Sequence, residues 1–587
     1  MPWAKIDGCI KGGADRLYPL KKEEGMADFE KKRPVLDRRH FVGGALAASA
    51  LAALAGCTKG GTTTGGSAAT GGAQGGTLRY YINNPVCIEP YNLQEDQGTQ
   101  VGFQLFDSLT QYNFETGELE PLACESWEAN EDATEFTFHL KEAKFHDGTD
   151  VLASNWKYGW ERIVNPATNP ESPSVIGYHL AMIAGYDELA AGEAEEMSGL
   201  TCPDDHTLVV TLSYAYADFP YVASHPALAP IPDCAKDMTQ VDFGLAPVGN
   251  GPFKMDGEWV DGQYINIVRF DDYYGEPAIL DGVNFMIQKD VETAYKEFQA
   301  GNLDVSDVPV ASLQSAAEQY GESEDGYTIT PGHQFLNGSE PSTYYLTCNV
   351  VEGPFTDVNL RHAVSMAINR QAICDTLFHG SRTPADNIVP PGIAGYEEGA
   401  WTYSKYDVDA ATEILDQYYP ADADGNRGLE LEITSNQDGG HKEVMDSIIS
   451  DLAAVGITCT ANTPDWATVL DLYQKLDYQF GRLGWVADYP IMDNFLYPLF
   501  YTGNGDNRAG YSNPTVDEEL MAARQTVDDA ERIAALQEVN KQIAEDMPVI
   551  PLMFYTHTMV GGSNVAKLYL DPQKKADLSQ AQLVSAE

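Results

Sequence analysis

The sequence predicts a mixed α/β fold with two or more packed lobes. The chain has 587 residues, of which 43% are hydrophobic and 21% charged, so it holds enough apolar material for more than one core. Segments with the alternation of a strand and segments with the spacing of a helix follow one another along the chain. No segment recurs at the period of about 20–50 residues that marks a repeat protein. Alternating elements without a repeat favour α/β or α+β lobes.

The individual elements can be predicted from their patterns. Residues 135–140 alternate polar and apolar side chains, as in a half-buried strand, and K-F-H-D-G at 144–148 supplies the turn that follows. Residues 153–164 have helical spacing, which places two tryptophans and an isoleucine on one face. Further strands are predicted at 77–81, 208–212 and 265–270. Further helices are predicted at 359–373, 406–419 and, with a break, 516–546.

Charge and cysteine spacing exclude two kinds of site. The net charge is −52, and no run of lysine or arginine offsets it, so the surface repels nucleic acid. The nine cysteines contain no C-x-x-C pair and no matching histidine spacing, so we expect no zinc site. The acidity fits a protein that works outside the cytoplasm, and it does not identify a ligand.

The first 57 residues have the order of an export signal. Arg38 and Arg39 precede an alanine-rich apolar run that is shorter than the roughly 20 residues of a membrane span. The run ends in L-A-G-C at Cys57. This order resembles a twin-arginine signal that ends in a bacterial lipobox, which implies that Cys57 becomes an acylated N-terminus. A chance alanine-rich helix is the alternative.

A flexible tether is predicted after the signal. Residues 58–76 are rich in glycine, threonine, serine and alanine, a composition typical of a flexible linker. No later segment is long and apolar enough to span a membrane. We therefore expect a signal over 1–57, a tether over 58–76, and a body held at the outer face of the cell membrane by its lipid. Translation can start at Met1 or at Met26.

The chain lacks the residue patterns of a hydrolase. His146 and Asp147 are adjacent, but no serine or cysteine nucleophile is placed near them, and no G-x-S-x-G, H-E-x-x-H or phosphate-binding loop occurs. Residues 422–426 begin like a calcium loop, but Arg427 and Ile433 occupy the positions that need glycine and glutamate. A turn between a helix and a strand is the better interpretation. We expect no enzyme activity, no metal and no cofactor.

The most informative motif is R-L-G-W-V-A-D-Y at 482–489. It places one cation, one anion and two aromatic rings within eight residues, which suits a zwitterionic ligand such as a short peptide. The alternative is a strand that ends in a turn, with Asp488 solvated or capping and Pro490 closing the element. The motif alone does not separate the two.

Seven segments, in chain order, resemble one protein family. They are K-F-H-D-G (144–148), N-W-K-Y-G-W-E-R-I-V-N-P (155–166), D-D-H-T-L-V-V-T-L (204–212), H-P-A-L-A-P-I-P (225–232), V-G-N-G-P-F-K-M (248–255), P-F-T-D-V-N-L-R-H-A-V-S-M-A-I-N-R (354–370) and R-L-G-W-V-A-D-Y (482–489). They are similar to the family 5 extracellular solute-binding proteins, the peptide-, nickel- and oligopeptide-binding components of ABC importers. The likeness is strongest to the periplasmic oligopeptide-binding proteins.

The resemblance implies a two-lobed, periplasmic-binding-protein-like α/β fold, with an inserted domain and a ligand cleft between the lobes. By analogy, the first lobe is discontinuous, and the inserted domain interrupts it. The expected boundaries are lobe I at 77–108, 233–308 and 553–587, the inserted domain at 109–232, and lobe II at 309–552.

The charged positions of the family's peptide site can be carried over individually. By resemblance, Asp488 pairs with the α-ammonium group of the ligand. Arg482 and His441 match positions that meet the C-terminal carboxylate of peptides of different length. These positions imply that both ends of a peptide are recognised by charge.

The remaining site positions supply backbone and aromatic contacts. Gly484 and Val486 match positions whose backbone groups pair with the peptide as an added strand, and the opposite lobe does likewise at Asn250 and Gly251. Three residues match aromatic walls of the side-chain pockets: Trp485, Trp466 and Tyr345.

The predicted function is therefore that of a receptor. We expect a lipid-anchored monomer that captures peptides of a few residues and delivers them to the permease subunits of an ABC importer. A different solute within the same family is the main alternative: nickel chelate, haem, opine, sugar or a signalling peptide. A secreted hydrolase and a sensor or adhesion role are further alternatives.

Overall fold

The computed structural model describes residues 72–73, 75–93, 95–437 and 441–584. All of them belong to one of the chain's two compact units, Ala69–Glu587. The predicted signal, with Arg38, Arg39 and Cys57, lies outside the described residues, as does most of the tether. None of the helices in the described part of the chain combines the length and the apolar character that a membrane crossing requires.

Strands and helices from the whole described chain build the fold. The strands are β1 (Gly72–Ala73), β2 (Thr77–Ile82), β3 (Thr110–Asn113), β4 (Glu118–Pro121), β5 (Cys124–Ala129), β6 (Glu135–Leu140), β7 (Leu200–Asp204), β8 (Thr207–Thr211), β9 (Phe253–Met255), β10 (Tyr264–Arg269), β11 (Gly282–Ile287), β12 (Val305–Asp307), β13 (Thr328–Ile329), β14 (Phe335–Cys348), β15 (Thr383–Pro384), β16 (Glu430–Thr434), β17 (Thr458–Asn462), β18 (Phe480–Val486), β19 (Val549–Gly561), β20 (Val565–Tyr569) and β21 (Gln582–Val584). The α-helices are α1 (Asp96–Leu105), α2 (Ala153–Val164), α3 (Tyr186–Ala190), α4 (Phe219–Val222), α5 (Gln240–Leu245), α6 (Val291–Gln299), α7 (Leu313–Tyr320), α8 (Val358–Ala367), α9 (Arg370–Leu377), α10 (Val408–Tyr418), α11 (Lys442–Ala454), α12 (Trp466–Lys475), α13 (Asp493–Phe500), α14 (Pro514–Arg524) and α15 (Asp529–Asp546).

The main sheet is mixed and has β14 near its centre. Its order is β17-β16-β18-β14-β19-β12-β2-β11-β10-β9, and β15 pairs with β19 beside it. β14 runs antiparallel to β18 on one side and to β19 on the other. β2 pairs in parallel with β11, and β16 pairs in parallel with both β17 and β18. A sheet that mixes both pairings with flanking helices confirms the predicted mixed α/β class.

The predicted inserted domain contains a sheet of its own. β5, β6, β8 and β7 pair in that order, and β3 and β4 form a separate hairpin. The strand predicted at 135–140 and the helix predicted at 153–164 are both confirmed, as β6 and α2. Trp156 and Trp160 of α2 are buried in the hydrophobic cluster that covers this sheet.

Three hydrophobic clusters are the main cores. One is formed by residues within 344–553, and a second by residues within 93–228 together with Tyr489 and Ile491. The third combines residues within 78–106, 229–336 and 559–581. The second cluster thus includes Tyr489, the last residue of the R-L-G-W-V-A-D-Y motif, and Ile491 just beyond it. The predicted domain boundaries stay a prediction.

Most of the other predicted elements are present, with one correction. The strands predicted at 208–212 and 265–270, and the helix at 406–419, correspond to β8, β10 and α10. The broken helix at 516–546 corresponds to α14 and α15.

The single helix predicted at 359–373 is wrong, because the chain forms α8 and α9 there. Ile368 is extended, and the side chain of Asn369 accepts a hydrogen bond from the Ala372 N–H, so it starts a second helix.

Candidate functional site

The predicted motif lies in the middle of the main sheet. β18 pairs with β14 so that Gly484 is opposite Tyr344 and Arg482 is opposite Leu346. A side chain at position 484 has no room, because a Cβ there would lie 2.7 Å from the hydroxyl of Tyr555. The glycine therefore lets Tyr555 of β19 approach the strand. This packing brings two tyrosines beside the motif.

Six of the predicted site residues line one cavity of about 250 Å³. They are Tyr345, Trp466, Arg482, Gly484, Trp485 and Val486. Six further residues complete the lining: Leu470, Leu483, Leu499, Asp506, Arg508 and Tyr555. Val486 is 57% exposed at the end of its strand, and Trp466 is 39% exposed at the start of α12, so aromatic and aliphatic surface faces solvent here. The cavity is mostly apolar and carries a few charged groups, as ligand pockets do.

Asp488 lies just beyond the end of β18 and is partly buried. Its carboxylate accepts a hydrogen bond from Nδ2 of Asn494 at 3.1 Å. No lysine or arginine in the described part of the chain forms an ion pair with it. Burial raises the pKa of Asp488 to about 6, against the lowering effect of Asn494, and Asp506 adds to the rise. The site therefore holds a carboxylate that lacks a cation.

The capping alternative for Asp488 can be compared with this geometry. Among the described residues, no backbone N–H donates to the carboxylate of Asp488. The backbone N–H of Asp488 instead donates to Oδ1 of Asn494 at 3.0 Å, so Asn494 caps Asp488. Burial raises the pKa of Tyr178, and the negative charge of Asp488 raises it further. Tyr178, a residue of the predicted inserted domain, therefore lies near this carboxylate.

Arg482 lies on the side of the sheet that carries Tyr344 and Tyr555. Its guanidinium carbon is 5.0 Å from the centre of the Tyr344 ring, and Nη2 donates to the Tyr555 hydroxyl at 2.9 Å. Nε is buried and has no hydrogen-bond partner. No carboxylate in the described residues forms an ion pair with Arg482. The cation is held in place by aromatic rings and keeps capacity for an anion.

His441 joins the same group of residues through Tyr344. Its Nδ1 lies 3.2 Å from the Tyr344 hydroxyl, at the start of α11. Burial lowers the pKa of His441 to about 3, and the positive charges of Arg482 and Arg382 add to the effect. His441 is therefore neutral at ordinary pH and offers a hydrogen bond rather than a charge. It does not line the cavity itself.

Asn250 and Gly251 lie elsewhere. The side chain of Asn250 is buried and exchanges two hydrogen bonds of 3.0 Å with the backbone of Asp107. The N–H of Gly251 donates to the carbonyl of Leu105 at 2.9 Å, and its carbonyl lies 3.1 Å from Nε2 of His146. These residues are not among those that line the cavity. Their peptide contact stays a prediction.

Sequence reasoning missed four residues that organise this site: Asn494, Tyr344, Tyr555 and Arg382. Asn494 had a weak signal, since it follows Asp488 by six residues at the start of α13. Tyr344 precedes the predicted Tyr345. Tyr555 and Arg382 are distant in sequence and reach the site only through the pairing of β14, β15 and β19.

A larger cavity of about 490 Å³ lies away from the motif. Asp107 in its wall accepts hydrogen bonds from the hydroxyls of Tyr273 and Tyr274, at 2.7 and 2.6 Å. None of the ten predicted peptide-binding residues lines it. We place the candidate site at the smaller cavity, because six predicted residues line it, and Arg482 among them has no ionic partner in the described residues. Asp488 is not a lining residue and lies just beyond the strand that supplies Arg482. Volume alone does not indicate a ligand.

The described residues contain no group of three histidine, cysteine or acidic side chains that could hold a metal ion. At the calcium-like segment, Oδ1 of Asp422 accepts from the backbone N–H of Asp424 and of Asn426, both at 2.9 Å. This arrangement is the turn between α10 and β16 that the sequence analysis preferred. The seven cysteines in the described part of the chain are all free thiols.

Comparison with known proteins gives a consistent result. The sequence model described as "Bacterial extracellular solute-binding proteins, family 5 Middle" matches residues 118–507. The dipeptide-binding protein DppE of Bacillus subtilis is 26% identical over 514 residues, which cover 85% of this chain and 91% of the relative. The periplasmic oligopeptide-binding protein OppA of Salmonella typhimurium is 26% identical over 488 residues, which cover 80% and 85%.

A solved structure supports the fold. The murein tripeptide binding protein MppA of Escherichia coli superimposes with a TM-score of 0.71 at 23% identity, covering 88% of this chain and 100% of the other. At this identity the likeness concerns the fold alone. It confirms the predicted periplasmic-binding-protein-like class.

Proposed function

We propose that this chain, which belongs to family 5 of the bacterial extracellular solute-binding proteins, captures short peptides by their two charged ends. The observation that carries the proposal is the pair of opposite, ionically unpaired charges at the two ends of one motif. Asp488 has a raised pKa and no cation, and Arg482 has no carboxylate. A peptide supplies the missing partner at both places.

Electrostatics gives the reason for this arrangement. A partly buried charge without a counter-ion costs free energy, which is recovered when an opposite charge arrives with good hydrogen bonds. An amino terminus at Asp488 and a carboxylate at Arg482 would each do so. A neutral solute would leave both charges unpaired. The site therefore favours a zwitterion.

The spacing of the two charges favours peptides of a few residues. Asp488 is six positions after Arg482, and an extended chain rises about 3.3 Å per residue, so their Cα atoms lie at most ~20 Å apart. Backbone groups at Gly484 and Val486 could pair with the peptide between them, as in strand addition. Such pairing is insensitive to side chains, which suits a receptor with broad specificity.

The remaining parts of the proposal concern location and partners. Because Cys57 follows an export-type signal, we propose that the mature chain is a lipoprotein at the outer face of the cell membrane. It would act there as a monomer and deliver peptides to ABC permease subunits without cleaving them. Relatives in the same family are named for dipeptide and oligopeptide binding, which supports this assignment.

Affinity capture from a mixed peptide library tests the proposal. The purified chain is incubated with di- to octapeptides, washed, and denatured, and the released ligands are identified by mass spectrometry. We expect intact peptides of about three to five residues. Asp488→Asn should retain almost none. Glu518→Gln removes the same charge from an exposed position on α14 and should match the unmodified chain. Release of a non-peptide solute, or of cleaved peptides, would contradict the proposal.

A further inference from the structure

A second arginine lies beside the candidate site. Arg382 immediately precedes β15, which pairs with β19. Its guanidinium carbon is 4.0 Å from the centre of the Phe378 ring and 4.7 Å from the centre of the Tyr555 ring. Stacking between two aromatic rings covers the faces of a guanidinium and leaves the N–H groups at its edge available.

The edge of this guanidinium has almost no partner. Its one polar contact in the described residues is a long one, 3.9 Å from Nη1 to the sulfur of Met553. The negative charge of Glu340 acts on the pKa of Arg382 without a hydrogen bond in the described residues. Glu340 already has a partner, because Nζ of Lys574 lies 3.3 Å from its Oε1. Arg382 therefore resembles Arg482 in having aromatic support and no carboxylate.

Tyr555 connects the two arginines. Arg382 stacks on its ring, and Arg482 donates to its hydroxyl at 2.9 Å. Burial lowers the pKa of His441, and the positive charges of both arginines lower it further, so both lie near this histidine. Two cations thus meet at one residue in a chain of net charge −52. Like charges at close range repel unless anions lie between or beside them.

The arrangement indicates two separate anionic groups rather than one. Arg382 approaches the face of the Tyr555 ring, whereas Arg482 approaches its hydroxyl, so the two guanidinium groups contact different parts of the ring. One guanidinium can hold one carboxylate bidentately, so two of them can hold two. A C-terminal aspartate or glutamate carries an α-carboxylate and a side-chain carboxylate joined by a short linker, which fits two neighbouring cations.

We propose that Arg382 and Arg482 form a paired anion site that makes the receptor prefer peptides ending in aspartate or glutamate. The α-carboxylate binds Arg482, and the side-chain carboxylate binds Arg382. This inference rests on the proposed function and names the ligands that it favours. The competing explanation is that Arg382 only packs α9 against the sheet, in which case its charge has no effect on ligand choice.

Calorimetry with matched peptides separates the two explanations. The peptides are Ala-Ala-Glu and Ala-Ala-Gln, with the same pair extended by one and by two alanines at the amino end. Glutamate and glutamine differ in charge and hardly in size. For the length that binds best, we expect the glutamate peptide to bind about tenfold tighter or more. Equal affinity of the two peptides would overturn the inference while leaving peptide binding itself intact.

Variants assign the effect to the residue. Arg382→Gln should reduce the glutamate preference to within about twofold, and the ratio of the two affinities is the readout. Arg482→Gln should weaken both peptides. Lys289→Gln removes one positive charge from an exposed position and should leave the preference as it is.

Because Arg382→Gln could also disturb packing, the preference of the unmodified chain is the primary readout, and Arg382→Lys is a second variant. Lysine keeps the charge and should retain part of the preference. A preference that survives Arg382→Gln in a folded protein would overturn the assignment. If no peptide bound at all, the proposed function would fail, and this inference would fail with it.

Discussion

The side chain of Asn494 holds Asp488 at both its backbone and its carboxylate. Nδ2 donates to Oδ2 of Asp488 at 3.1 Å, and Oδ1 accepts from the Asp488 N–H at 3.0 Å. The same Oδ1 accepts from Nε1 of Trp485 at 3.0 Å. One buried amide thus positions the proposed anion and one aromatic wall of the cavity. Under the proposed function, Asn494 acts on a ligand through these two residues.

Replacing Asn494 by alanine should weaken peptide binding by about tenfold, because both Asp488 and Trp485 lose their fixed orientation. Asn494 is buried, so we also expect the free energy of unfolding to fall by about 1–3 kcal/mol. Calorimetry and a thermal melt measure the two effects. Unchanged affinity in the folded variant would show that Asn494 has a purely structural role.

Peptide affinity should depend on pH in a defined direction. Burial raises the pKa of Asp488 to about 6. An α-ammonium group requires the ionised carboxylate, so affinity should fall as pH is lowered through 6. It should fall again above about pH 8, where the peptide amine loses its proton. Titrations between pH 5 and 9 check this. In Asp488→Asn the acidic limb should disappear.

The same carboxyl group should destabilise the empty protein. Its folded pKa of about 6 lies above the unfolded value of about 3.9, so the folded state holds the proton more tightly. The stability contributed by the protonated form is therefore lost as pH rises from about 4 through 6. At pH 7.5 we expect the melting temperature of Asp488→Asn to exceed that of the unmodified chain. Near pH 4 we expect the two melting temperatures to be equal. A variant that melts lower at pH 7.5 would contradict this.

Alanine at position 484 should disturb the site through Tyr555. Its Cβ would lie 2.7 Å from the Tyr555 hydroxyl, which is also bonded to Arg482. We expect lower stability and weaker peptide binding. The double variant Gly484→Ala, Tyr555→Phe removes the clashing hydroxyl and should recover part of the stability, although not the hydrogen bond to Arg482. Gly505→Ala is the control, because a Cβ there meets no atom within 4 Å.

Lipid attachment at Cys57 can be tested in the producing cell. Cys57→Ser should abolish incorporation of radiolabelled palmitate and release the protein from the membrane fraction. Replacing Arg38 and Arg39 by lysine should leave unprocessed protein inside the cell. Labelling that persists in Cys57→Ser would place the acyl chain elsewhere.

Local patterns in the sequence predicted the class of fold, and six of the ten predicted site residues line one cavity. Alternation at 135–140 and the tryptophan spacing of α2 determine those elements through short-range periodicity. Residues 482–486 of the R-L-G-W-V-A-D-Y motif lie in β18 and line the cavity, and Asp488 lies just beyond the strand. These signals are short-range, whereas Tyr345 and Trp466 reach the cavity from β14 and α12.

The parts that sequence did not reveal depend on long-range pairing. Tyr555 and Arg382 reach Arg482 through β19 and β15, which no local pattern connects. The break between α8 and α9 depends on one capping asparagine, which the apolar spacing of 359–373 conceals. Asn250 appears as a binding residue in the family resemblance, and its side chain is bonded to the backbone of Asp107.

Calorimetry with one peptide in two forms tests the central claim most directly. The mature chain is titrated with a tri- to pentapeptide that binds, and then with the same peptide acetylated at its amino group. If Asp488 receives the free ammonium, acetylation should abolish measurable binding, and Asp488→Asn should cost the free peptide about 2–5 kcal/mol. Undiminished binding of the acetylated peptide, or a loss below about 1 kcal/mol in the variant, would show that this carboxylate does not bind the ligand.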